Sequence, residues 1–161
     1  MDVDLLDHGP YIERTIEMAA EAARRGDRPC GSVLVRDDTV LRGETNRVRT
    51  GDDIALHPEL SLARWAGREL SPTERAESVV YTTVEPCSMC ARAIATAGLG
   101  GVVFCVSGAN YWETVGAFRE SVPDGYVPCA EVIERSGGDV PVVGPVREAD
   151  GLAVIRATLE P

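Results

Sequence analysis

Apolar residues fall along this chain in two kinds of block, some at helical spacing and some continuous or alternating as in strands. From 10 to about 25, Ile12, Ile16, Ala19, Ala20 and Ala23 form one stripe, opened by Pro10 and ended by Gly26, which predicts a helix. Asp27-Arg28-Pro29 is a loop. Residues 32–36 and 39–42 read as two strands joined by Asp37-Asp38 in a short hairpin. From 43 to 54 the chain is polar and irregular, with Asn46 inside it. A second helix, 57 to about 69, places Leu60, Leu62, Ala63 and Ala66 together, and Pro58 fits its first turn because an amide there has no helical partner to lose. Residues 78–82 form a compact apolar strand, and 87 to about 97 a third helix ending before Gly98. Residues 101–106 are apolar without a break, as in a strand buried on both faces of a parallel sheet.

The order β-β-α-β-α-β behind a leading helix predicts an α/β fold, a three-layer α-β-α sandwich around a mixed, roughly five-stranded sheet. Beyond Gly108 the pattern is less regular. Residues 110–118 read as a short helix or a binding loop, and 131–134 as a last strand. Gly137-Gly138 and the stretch 141–145 break the chain, and 148–159 forms a final helix. The whole of 1–161 is expected to be one domain, with 136–161 a terminal extension of it.

Charge narrows the range of partners. Sixteen basic residues, every one an arginine, face 26 acidic ones, a net charge of −10. Such a surface argues against a polyanionic partner, because phosphate binding draws on clustered Lys and Arg. Residues 1–9 are acidic where a signal peptide would be basic, and no apolar run approaches a membrane span, so a cytoplasmic protein with no membrane partner is expected. Five cysteines, an odd number, fit reduced thiols better than a disulfide framework. Cys30, Cys105 and Cys129 read as small buried hydrophobes.

The candidate chemistry lies in His57-Pro58-Glu59 and Pro86-Cys87-Ser88-Met89-Cys90. Two cysteines three positions apart offer two thiolates from one helical turn, and His57 adds an imidazole. Three protein ligands with an open fourth position make a catalytic zinc site, whereas a structural zinc is normally closed by four. Glu59 stands beside such a metal as a base, able to take a proton from water and give it back later as an acid. Two rival readings exist. One is a structural zinc module closed by Cys30, Cys105, Cys129 or His8. The other treats Cys87 and Cys90 as a redox dithiol, which would leave His57-Pro58-Glu59 unused.

H-x-E followed by P-C-x-x-C is the signature of zinc nucleobase deaminases. Over roughly residues 10–120 the chain resembles the cytidine-deaminase-like superfamily, in the branch of guanine deaminases, cytosine deaminases and bacterial tRNA adenosine deaminases. The matching pieces are the leading helix, Pro29-Cys30-Gly31-Ser32, Gly43-Glu44-Thr45-Asn46, His57-Pro58-Glu59 and Glu85-Pro86-Cys87-Ser88-Met89-Cys90. The resemblance implies one zinc ion per chain on His57, Cys87 and Cys90, Glu59 as proton shuttle, Asn46 as a contact to the base or its sugar, and a homodimer. Two positions depart from it: most relatives have alanine where this chain has Pro58, and phenylalanine where it has Cys30. Substrate choice is expected in 107–118, with Tyr111, Trp112 and Phe118 stacking on a flat base. Asn110 and Glu113 would read ring edges. The expected activity is hydrolytic deamination of a free nucleobase or nucleoside of guanine or cytosine type, releasing ammonia. The alternative is a tRNA anticodon adenosine, disfavoured by Asp52-Asp53 just ahead of His57.

Overall fold

The computed structural model describes residues 2–116 and 126–159. A 3₁₀ turn, Val3–Leu5, precedes α1 (Gly9–Arg25). The hairpin strands β1 (Gly31–Arg36) and β2 (Thr39–Thr45) follow, then α2 (Pro58–Glu69), the short α3 (Pro72–Ala76), β3 (Val79–Val84), α4 (Ser88–Ala97) and β4 (Gly101–Val106). After them come α5 (Gly108–Gly116), α6 (Cys129–Arg135), β5 (Val142–Val143) and α7 (Glu148–Leu159).

Among the described residues the strands make one sheet in the order β2-β1-β3-β4-β5. β1 pairs antiparallel with both β2 and β3, whereas β3, β4 and β5 run parallel. The mixed sheet is therefore as expected, and the reason is visible in the strands. β3 and β4 are buried at every position. Tyr81 and Val103 pack into a core with Ile12 of α1, Tyr111 of α5 and Ile155 of α7. Val80 and Val102, their neighbours in sequence, point the other way into a core with Leu62 of α2, Ile94 of α4 and Ile133 of α6. A strand covered by helices on both faces has no polar side to show. At the hairpin, Asp37 and Asp38 have φ of 49° and 55°, the left-handed pair that a two-residue turn between twisted strands needs.

Two expectations near the carboxyl end are corrected. Residues 131–134 are helical, inside α6, where Cys129 and Ile133 lie one turn apart and both are buried. Glu131 and Arg135 pair across the same turn at 2.7 Å. The last strand instead falls in the 141–145 stretch expected to break the chain. It is only two residues long, Val142 and Val143 opposite Val102 and Val103, flanked by Pro141 and Pro145. α3 is an addition, closed by a capping box in which Ser71 and Glu74 satisfy each other's backbone amides. No helix among the described residues is long and apolar enough to cross a membrane.

Candidate metal centre

α2 and α4 pack side by side on one face of the sheet and put their first residues together. His57 is the N-cap of α2, with extended backbone at φ −76° and ψ 138°, and Pro58 opens the helix behind it. Cys87 is the N-cap of α4, with φ −65° and ψ 168°. Neither side chain caps its own helix, so both are free to face the space between. β3 delivers Cys87 through Glu85 and Pro86, and Cys90 follows one turn into α4.

His57 Nδ1 lies 3.7 Å from Cys87 Sγ. The ligand atoms of His57, Cys87 and Cys90 all fall within 4.8 Å of one another, and no further His, Cys, Asp or Glu among the described residues joins them. Tetrahedral zinc with bonds of about 2.3 Å to sulfur and about 2.0 Å to nitrogen separates neighbouring donors by roughly 3.5–3.8 Å. The donor set fits that ion in kind and in spacing. Its proton chemistry agrees. The hydrogen bond from Cys90 and then that with His57 pull the Cys87 thiol down to about 4, against the opposing effect of burial. The same Cys87 contact, with burial, pushes Cys90 up, and the Cys87 contact also raises His57. Two sulfurs and an imidazole share protons where a divalent cation would displace them. Of the residues considered for closing the site, His8 Nδ1 instead meets Tyr81 Oη at 3.3 Å, and Cys105 Sγ donates to the Arg147 carbonyl.

Glu59, on the first turn of α2, is 4% exposed. Its Oε1 accepts from Thr82 Oγ1 at 2.9 Å, and Thr82 Oγ1 in turn accepts from Ser32 Oγ at 2.8 Å. Two neighbouring strands thus hold the carboxyl in one orientation. Burial raises its pKa, opposed by its hydrogen bonds and by His57. Asn46 follows β2 and is buried. Its backbone amide donates to the Cys30 carbonyl at 2.9 Å, its carbonyl accepts from Arg25, and its Oδ1 accepts from the Val48 amide. Asp27 fastens the same loop, accepting from the Arg49 and Thr50 amides and from the Thr50 hydroxyl.

These groups open on a cavity of about 170 Å³, comparable to a cavity of about 150 Å³ that holds one benzene ring. His57, Glu59, Cys87, Asn46 and Trp112 all line it, while Cys90 lies behind. Tyr111 lines it as well and meets Trp112 edge to face, ring centres 5.1 Å apart. Asn110 and Glu113 lie outside it. The Asn110 side chain lies near the Glu148 carboxyl, whose pKa it helps to lower, and Glu113 is exposed, since one helical step beyond Trp112 turns a side chain away from the cavity. Phe118 lies outside the described residues. Sequence reasoning missed Arg28, Glu85, Thr82 and Tyr126. Thr82 is an ordinary strand residue until Glu59 is beside it, and the partners of Glu85 lie 23, 41 and 44 residues away.

Residues 7–106 match the family described as the cytidine and deoxycytidylate deaminase zinc-binding region. The chain belongs to that family. A tRNA-specific adenosine deaminase of Agrobacterium fabrum is 36% identical over 87 residues, 54% of this chain and 57% of the relative. The chain therefore spans little more than half the length of that enzyme. A probable cytosine deaminase of Schizosaccharomyces pombe is 27% identical over 143 residues, covering 88% of this chain and 86% of that one. The solved guanine deaminase from Nitrosomonas europaea superposes with a TM-score of 0.75 at 16% identity, over 96% of this chain and 85% of that one. At that identity the likeness is one of fold, and it is the layered sheet described above. Zinc fits both the family and the His57, Cys87 and Cys90 group.

Proposed function

We propose that this protein is a zinc-dependent hydrolytic deaminase of a free nucleobase or nucleoside, of guanine or cytosine type. The observation that supports it most is the buried Glu59 carboxyl beside a three-donor metal group, both facing a ring-sized cavity. His57, Cys87 and Cys90 would hold the ion, which when bound supplies Lewis acidity that makes water nucleophilic near neutral pH.

Glu59 takes the proton that water gives up on attacking the amino-bearing ring carbon. It passes that proton to the adjacent ring nitrogen. A second proton then goes by the same carboxyl to the leaving amine, so the amino group departs as ammonia and an oxo group replaces it. Burial suits Glu59 to both halves of this cycle, because a raised pKa lets it keep a proton between transfers. Thr82 holds the carboxyl in place. Asn46 offers its amide to the base or sugar, and Trp112 a flat face to the ring.

The net charge of −10 and the exposed Asp52 and Asp53 favour a small uncharged substrate. A second reading, an anticodon adenosine in tRNA, draws support from the Agrobacterium relative and from Arg28, exposed at the cavity. The experiment is a panel of bases, nucleosides and tRNA with zinc-loaded protein, scored by ammonia release. Glu59→Gln is expected to retain one zinc per chain and to lose about a hundredfold or more in kcat, the usual scale for a general acid–base group. Turnover of no member of the panel, or equal turnover by wild type and Glu59→Gln, would overturn the proposal. Light scattering tests the accompanying expectation of a homodimer.

A further inference from the structure

Glu85 follows the last residue of β3, directly before the metal-binding turn, and is 8% exposed. Its backbone amide donates to the Val106 carbonyl at 2.8 Å, so its position is set by the sheet. Its carboxylate gathers three donors from three separate pieces of chain. Oε1 accepts from the Cys129 amide at the start of α6 at 2.7 Å. Oε2 accepts from the Gly108 amide at the start of α5 at 2.9 Å and from the Tyr126 hydroxyl.

Tyr126 is held from a second side. A Cβ added to Gly108 would come within 2.8 Å of Tyr126 Cδ2, so the ring lies directly on the backbone that a missing side chain leaves open. Glu85, Gly108 and Tyr126 all border the same cavity as Glu59 and His57. Two of the three lie beyond residue 106, where the family match ends. The metal-binding end of the cavity and this wall therefore come from different parts of the chain, and the Glu85 carboxylate ties them together.

We propose that Glu85 is a positioning residue. It fixes the Tyr126 ring, seated on Gly108, as the wall against which the substrate's ring lies, and so governs substrate affinity more than the chemical step. The proposal rests on the deaminase reading for its substrate and on the contacts above for its geometry.

Three variants test it: Glu85→Gln, which keeps the shape and turns one acceptor into a donor, Tyr126→Phe, which keeps the ring and removes the hydroxyl, and Gly108→Ala, which displaces the ring. Zinc content, KM, kcat and the affinity for the product base by calorimetry are measured with the zinc-loaded protein. Glu85→Gln and Gly108→Ala are expected to raise KM and weaken product binding by about tenfold or more, the scale of a lost hydrogen bond to a carboxylate, with kcat within about threefold. Combining Glu85→Gln with Tyr126→Phe should add little to Glu85→Gln alone, because both break one bond. Hydrogen exchange, which needs no turnover, should show faster exchange in Glu85→Gln at whichever of the Gly108 and Cys129 amides faces the new amide nitrogen, with Tyr126→Phe leaving Cys129 unchanged. KM and product affinity within about twofold of wild type in all three variants, or kcat falling as far as KM rises, would overturn the proposal. An inactive wild type with the expected exchange pattern would sink the deaminase reading and leave the contacts standing.

Discussion

Thr82 shows how a single side chain can matter at the candidate site without touching a metal or a ligand. Its hydroxyl accepts from Ser32 and donates to Glu59, so the orientation of the proposed proton carrier depends on two strand residues that are themselves fully buried. Thr82→Val keeps the volume and removes the link. We expect kcat to fall about tenfold, the scale of one hydrogen bond to a carboxylate, with zinc content unchanged and KM little altered. Steady-state kinetics beside metal analysis checks it, and an unchanged kcat would show that packing alone orients Glu59. His57, Glu59, Cys87 and Cys90 were legible in the sequence because their spacing is local: one N-cap and its next turn, then a pair one turn apart. Thr82 and Glu85 were not, because what marks them is a partner 23 or more residues distant. The sequence around Asn110 suggests a substrate contact, and only the facing of α5 puts that side chain outside the cavity, near Glu148.

Among the elements, the loop after β2 and the contact between α1 and β1 shape the site most. Asp27 holds that loop with two backbone amides, the Thr50 hydroxyl and Arg25. Burial would raise its pKa, but the Thr50 amide and hydroxyl, with Arg25, outweigh it and keep the carboxyl below its ordinary value. A carboxyl held low in the folded state contributes stability that is complete above its unfolded pKa of about 4 and is lost as pH falls through the folded value. The Tm of wild type should therefore fall more steeply below about pH 4 than that of Asp27→Asn. Near neutral pH the same variant should be about 2 kcal/mol less stable, because buried donors lose their acceptor. Thermal melts across pH decide both. At Gly31 a Cβ would meet Met18 and come within 2.9 Å of the Thr15 carbonyl, so α1 lies on β1 with no room for a methyl group. Gly31→Ala should cost about 1–3 kcal/mol by overpacking, read as a Tm lowered by several degrees. The misread end of the chain teaches the complementary lesson. Val132-Ile133 looks like a strand core in isolation, yet burying Cys129 and Ile133 against α4 requires helical spacing.

For the molecule as a whole, the sheet holds apart two helix layers with separate cores, and the metal group joins α2 to α4 within one of them. An ion held there would cross-link two helix starts that lie 30 residues apart in the chain. Chelation should therefore lower Tm as well as abolish the proposed deamination, with both restored by added zinc. A Tm indifferent to chelator would mean that the ion adds nothing to the fold.

The sequence by itself determined the helices that cap on His57 and Cys87, the apolar strands that must lie inside, and the kinds of donor that meet a metal. Each of these is set by neighbours within a turn or two. Tertiary structure alone decided which helix starts stand side by side, which face of α5 looks into the cavity, where the two-residue β5 finds its partner, and that Glu85 gathers α5, Tyr126 and α6. Those outcomes depend on burial and on hydrogen bonds between residues far apart in the chain, and local pattern carries no record of them.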